Sequence, residues 1–325
     1  MKELWTIYHE NIPQFLLELM ETKAMQRLKN VGMNCGCEYT SFPVFQKCQP
    51  YSRFDHSVGV ALIIYHFSHD IKQSVAGLLH DIATPVFAHT IDFFNGDHVK
   101  QESTENQTEN IIKNNQEIIK LLKKYQLSIE DVCDYHLYPL ADNDLPKLSA
   151  DRLEYSLGNM LNYGFVSKET IKEYYQHLYM NEIMQELAFD NLDIAISFTK
   201  DVFKTSMVYI SDEDRFAMEQ LAVILKEAIG DSVIGYQDLY TNETAVIQKL
   251  CQNQKYCQKW HEFRKYSYIE KYSSYATGSY RVKAKKRYIL PLFHDQRIDQ
   301  LSSEIQIMLH DYLNISFDDY IQGKS

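Results

Sequence analysis

The chain has 325 residues, 45% of them apolar, with 44 acidic against 33 basic side chains and a net charge of −11. That apolar content can fill a sizeable core without staples, no apolar run approaches the roughly 18 to 20 residues of a membrane span, and the acidic balance argues against indiscriminate nucleic-acid binding while leaving room for a local basic patch. Six irregularly spaced cysteines (Cys35, Cys37, Cys48, Cys133, Cys251, Cys257) and the lack of a leader-like opening imply a reducing, cytoplasmic setting; Cys35 and Cys37 have no second Cys/His pair at zinc spacing and read as buried thiols.

Helical periodicity dominates. "IPQFLLELMETKAMQRL" puts Ile12, Phe15, Leu16 and Leu19 on one face, and "SVGVALIIYHF" and "IKQSVAGLL" read as short buried helices. Thr84-Pro85 reads as a cap and first turn of a helix running to Asn95-Gly96. From Thr104 a further helix carries Ile111, Ile112, Ile118, Ile119 and Leu122, and Ser149 caps another with Asp151 in its first turn. "NLDIAISFTKDVFKTSM" and "DRFAMEQLAVILKEAI" continue the helical pattern. Only near the C-terminus does the period change: Thr277-Gly278-Ser279 suggests a turn, and "SYRVKAKKRYI" places Arg281, Lys283, Lys285 and Arg287 on one side of a strand. The expected organisation is a helical domain over 1–265 and an extension over 266–325 holding the basic strand and a last helix.

Imidazole and carboxylate are the groups that hold a divalent ion in an open hydrolytic site. His56 falls near the start of one buried helix and His80-Asp81 at the end of the next. If the pair packs antiparallel, these ends meet. A further ligand is expected from a distant acidic residue, for which Asp151 is the local choice. Spacing alone leaves two readings, a cation site or a polar helix terminus capped by His and Asp.

The arrangement of His56, His80-Asp81 and Asp151 resembles the HD superfamily of metal-dependent phosphohydrolases. The surrounding blocks "ETKAMQRLKNVGM", "YSRFDHSVGVALI", "AGLLHDIATPVFAHTID" and "SADRLEYSLGNML" resemble its deoxynucleoside triphosphate triphosphohydrolase-like branch, over roughly residues 15 to 165. The resemblance implies a mostly α fold, an HD-domain helical bundle to which the C-terminal β-hairpin is a small extension. It implies one divalent cation (Mn, Fe, Ni, Co, Zn or Mg) on His56, His80, Asp81 and Asp151, and a nucleotide or other phosphorylated small molecule as substrate. Such an ion activates water and shields phosphate charge. Arg53 corresponds to an arginine near substrate phosphate, Gln26 to a pocket-edge position, Tyr155 to an aromatic near the sugar, and His89 to the second histidine of the block "AGLLHDIATPVFAHTID". Relatives of this branch often assemble into homo-oligomers.

The departures are specific. Thr84 stands where the branch has a histidine implicated in proton transfer, and Thr104-Glu105 stands for a His-Glu pair. A threonine hydroxyl cannot serve as an acid at neutral pH, which leaves His89, His98, Glu102 and Glu105 as replacements. Lys283, Lys285 and Arg287 suit several phosphate oxygens, while the alternative for that strand is an edge protected by charge. The expected function is hydrolysis of a nucleotide phosphate ester or anhydride. The alternative is an impaired nucleotide-sensing or nucleic-acid-binding module that keeps the metal as a structural tie.

Overall fold

The structure is a computed structural model that describes residues 1–95 and 107–325. The helices of its first half are α1 (Lys2–Tyr8), α2 (Gln14–Met20), α3 (Lys23–Arg27), α4 (Arg53–Ser68), α5 (Ile71–Leu79), α6 (Thr90–Asn95), α7 (Thr108–Asn114), α8 (Gln116–Lys124), α9 (Ala150–Asn162) and α10 (Lys168–Gln176). A hairpin of β1 (Leu178–Asn181) and β2 (Glu186–Phe189) leads into α11 (Leu192–Tyr209), α12 (Asp212–Gly230), α13 (Glu243–Gln252) and α14 (Gln254–Phe263). The last part holds β3 (Tyr268–Tyr272), β4 (Leu292–Phe293), β5 (Gln296–Arg297), α15 (Ile298–Leu301), α16 (Ser303–Leu313) and β6 (Tyr320–Lys324). The expected mostly α fold with a few C-terminal strands is what forms. No described helix is long and apolar enough to cross a membrane.

Helix α4 is the centre of the molecule. Its residues from Val58 to Ile64 are all buried, as expected of a helix that is apolar around its circumference. Ser52 and Asp55 close a capping box at its start, so Asp55 is committed to the helix terminus and is not the partner of Arg53. At the other end His69 adopts a left-handed conformation (φ 50°), and Asp70 caps α5 by accepting from the Lys72 and Gln73 amides. This two-residue link folds α5 back along α4. Contact is close at Gly77, where an added Cβ would lie 2.4 Å from Ile64 Cδ1. The start of α4 therefore lies beside the end of α5.

The molecule has two apolar cores, and this pair lies in the first. Leu16, Ile63, Leu78, Leu157 and Phe198 belong to the first, while Phe87, Phe216, Leu221, Leu250 and Trp260 belong to the second, built on α12 to α14. The segment after 265 enters both, through Ile289, Leu290 and Tyr312 on one side and Val282 and Ile321 on the other. Strands β1, β2, β4 and β5 form one sheet in that order, with β2 and β4 parallel. Strands β3 and β6 pair antiparallel from Tyr268↔Lys324 to Tyr272↔Tyr320.

Three local expectations are corrected. No helix starts at Pro85: Phe87 and Ala88 take left-handed conformations (φ 59° and 41°), which interrupt any helix until Thr90. Thr84 is thus no cap; its hydroxyl donates to Asp81 Oδ1 at 2.6 Å. The long helix expected from Thr104 is divided, within the described residues, by Asn115, whose extended backbone ends α7 and whose side chain accepts from Ile118 N to cap α8. Residues 281–290 form no strand. The partner of β3 is β6, reached across a Tyr280↔Ile321 bridge, and the basic segment is pulled out of alternation: Val282 enters the second core, Lys286 Nζ donates to the Leu313 and Ile315 carbonyls at 2.5 and 2.6 Å, and Arg281 Nε donates to the Asp318 carbonyl at 2.6 Å.

Candidate metal and substrate site

The helix ends around α4 bring the predicted residues together. His56 lies in the first turn of α4, His80 follows α5, Asp81 lies in the turn beyond it, and Asp151 lies in the first turn of α9 behind its Ser149 cap. One donor atom each from His56, His80 and Asp151 falls within 4.8 Å of the others. His56 Nε2 is 2.9 Å and His80 Nε2 3.7 Å from Asp151 Oδ1. Asp81 Oδ2 stands 3.9 and 3.5 Å from the same two nitrogens and accepts from Arg53 Nη1 at 3.1 Å.

Both imidazoles are held from behind. His80 Nδ1 lies 2.7 Å from the Gly77 carbonyl, and His56 Nδ1 lies 2.6 Å from Glu154 Oε2. Since a carbonyl and a carboxylate can only accept, each Nδ1 carries the proton. The two Nε2 atoms face the carboxylates. Two imidazole Nε2 atoms and the Asp151 carboxylate converge as a donor set that fits a divalent cation, with the Asp81 carboxylate beside them.

Charge follows the same geometry. Burial alone would lower the pKa of His56, but hydrogen bonds to Asp151 and Glu154 raise it to about 10. Burial works against ionised Asp81 as well, yet Arg53, His80 and His56 hold its carboxyl well below the usual range. Glu154 is the opposite case, with burial outweighing its partners and raising its pKa. A concentration of negative charge thus draws protons onto His56 where a cation would otherwise sit.

These residues form one wall of a cavity of about 720 Å³ between the two cores. Arg53, His89, Tyr155, Lys285 and Arg287 line it, as the expected substrate site would require, and so do Asn34, Asn159 and Asp214. His89 is half-buried, and its Nδ1 lies 2.9 Å from Oδ2 of fully buried Asp92. Burial lowers the pKa of His89 despite that carboxylate. The expected basic row is not brought together: Lys285 and Arg287 reach the cavity, whereas Lys283 is exposed and does not line it. Gln26 does not line it either, because its amide donates to the Met20 carbonyl at 2.6 Å and accepts from Lys29 Nζ at 2.5 Å. Glu105, with His98, Glu102 and Thr104, lies outside the described residues.

Several contributors escaped the sequence reading. Arg27, beside the expected Gln26, donates to the Ile82 and Thr84 carbonyls at 3.1 and 2.7 Å and so braces the turn that carries Asp81. Glu154 and Asp92 escaped too, although each sits three residues after a singled-out group, at the spacing that shares a helix face.

With this geometry in place, the class follows. Residues 53–154 match the HD domain family, a span that runs from Arg53 through Asp151 to Glu154. Among curated proteins it is 28% identical to the uncharacterized protein YdhJ of Bacillus subtilis over 74% of this chain and 72% of that one. It is 26% identical to the metal-dependent phosphohydrolase cns2 of Cordyceps militaris over 47% of this chain and 43% of that protein, so less than half of cns2 is spanned. Two solved structures share the fold: a hypothetical protein from Aquifex aeolicus (TM-score 0.63, 21% identity, 91% of this chain and 89% of that one) and a phosphohydrolase from Bacteroides thetaiotaomicron (TM-score 0.60, 12% identity, 96% of each).

Proposed function

We propose that this HD-domain protein is a cytoplasmic metal-dependent phosphohydrolase that cleaves a nucleotide phosphate ester or anhydride, in the manner of the deoxynucleoside triphosphate triphosphohydrolase-like branch. The observation that carries the reading is the convergence of His56, His80 and Asp151, with Asp81 beside them, on the wall of a cavity that also holds three cationic side chains, Arg53, Lys285 and Arg287. His56, His80, Asp81 and Asp151 would hold the cation, which when bound supplies water activation and neutralises phosphate charge. The volume suits a nucleotide-sized ligand.

The chain's own residues supply the rest. Arg53, buried and fixed by Asp81, faces charge that develops on phosphate oxygens without having to reorganise. Lys285 and Arg287 bind further phosphate oxygens, and Tyr155 offers a flat apolar surface to a sugar or base. The proton transfer that Thr84 cannot perform falls to His89. Asp92 fixes its Nδ1–H, so Nε2 is the nitrogen left to exchange a proton with substrate or water. Thr84 is instead a donor that helps orient Asp81.

The test is elemental analysis of the purified protein together with a nucleotide panel in which phosphate, pyrophosphate and triphosphate release are all followed with manganese added. One bound ion, and release that disappears in folded Asp81→Ala, support the proposal. An ion with no turnover of any nucleotide would replace it with nucleotide sensing.

A further inference from the structure

Behind the candidate cation site lies Glu154, on α9 one turn beyond Asp151, with 2% of its side chain exposed. Burying a carboxylate is costly unless its oxygens are satisfied. Here Oε2 accepts from His56 Nδ1 at 2.6 Å and from the Tyr51 hydroxyl at 2.5 Å, and Oε1 accepts from the Tyr8 hydroxyl at 3.5 Å.

Two helical glycines make room for this network. A Cβ at Gly59, three residues after His56 on α4, would lie 2.5 Å from Glu154 Cγ and 2.6 Å from its Oε1. A Cβ at Gly158 would lie 2.3 Å from the Tyr51 hydroxyl. Glycine is among the poorest residues for a helix interior, so both positions give up helix propensity to let these side chains cross.

We propose that Glu154 is a positioning residue that sets the ring and tautomer of His56 for cation binding, a role that rests on the cation reading of the site. A neutral acceptor would satisfy the two tyrosines at lower desolvation cost. A carboxylate does more for the imidazole: it keeps the proton on Nδ1, directs Nε2 to the side of Asp151, and makes Nε2 a stronger donor. The other histidine has only a backbone carbonyl behind it, that of Gly77. The two imidazoles are therefore unequal, with His56 the stronger donor.

The test titrates the metal-stripped full-length chain with manganese alone, by calorimetry, comparing wild type with Glu154→Gln, Tyr51→Phe and His56→Ala and checking each fold by circular dichroism. Glutamine keeps the shape and one acceptor but removes the charge. The expected result is a manganese affinity about 10- to 100-fold weaker in Glu154→Gln and within about twofold of wild type in Tyr51→Phe, which removes a tie to Glu154 without touching the histidine. Affinity in Glu154→Gln within about twofold of wild type, while His56→Ala loses binding, would overturn the role and leave the cation reading standing. Equal weakening in Tyr51→Phe and Glu154→Gln would also overturn it, by assigning the effect to packing. A wild-type chain that takes up no manganese would instead remove the cation reading, and this role with it.

Discussion

Replacing Gly59 by alanine sets helix propensity against the packing around Glu154. In an open helix the change would stabilise the chain by about 1 kcal/mol. At this position the new methyl group would meet Glu154 Cγ at 2.5 Å, Oε1 at 2.6 Å and Cδ at 2.8 Å, all well inside van der Waals contact. Relieving that overlap moves the carboxylate by roughly 1 Å, which stretches its 2.6 Å bond to His56 Nδ1 beyond useful hydrogen-bond range. A hydrogen bond to a charged group contributes about 1.5–3 kcal/mol, and overpacking that is not relieved costs about 1–3 kcal/mol. The two costs compete, because movement of Glu154 exchanges one for the other. Set against the helix gain, the net effect is a destabilisation of up to about 2 kcal/mol. Urea denaturation of the metal-free chain measures it: the midpoint should fall with the slope unchanged. A midpoint that rises, as for glycine to alanine on an open helix face, would refute the reasoning and show that Glu154 is not confined against α4.

His89→Ala should lower kcat by about 10²- to 10⁴-fold while leaving manganese affinity unchanged; a kcat within twofold of wild type in a steady-state phosphate-release assay would take the proton-transfer role away from His89. Asp214, which lines the same cavity but is not a candidate ligand, offers a pH dependence. Burial raises its carboxyl to about 8, against about 3.9 in an unfolded chain, so the folded state holds a proton that the unfolded state has released. That contribution to stability is complete below about pH 4 and is lost as pH rises through about 8. Asp214→Asn should therefore flatten the fall in urea midpoint between pH 5 and 8, and parallel profiles for the two proteins would contradict the assignment.

Much of the site was legible before any coordinates. His56 and His80-Asp81 could be placed at opposite ends of two successive apolar helices, and a short link between such helices leaves them little choice but to fold back, so the ends meet. Asp151 was legible because a serine cap and a periodic apolar face orient its helix. The basic segment was misread for a physical reason. Alternation of Arg281, Lys283, Lys285 and Arg287 is a strand pattern only if a neighbouring strand is free to pair, and β3 is already paired with β6. Thr84 was misread because proline after threonine favours a helix start locally, whereas packing of the Val86–Ala88 turn in the second core imposes left-handed backbone there.

By itself, the sequence determined what local chemistry controls: the mostly α character, the buried central helix with its capped ends, and the identity of the groups that could hold a cation. Tertiary structure alone decided which distant groups stand behind them. Glu154 meets His56 across 98 residues, and Tyr51 meets Glu154 across 103. Arg27 braces the turn after Asp81 from 55 and 57 residues away. Periodicity records the face a helix buries, but which polar side chains share that buried space depends on how closely the helices approach, and here glycines at 59, 77 and 158 set that approach.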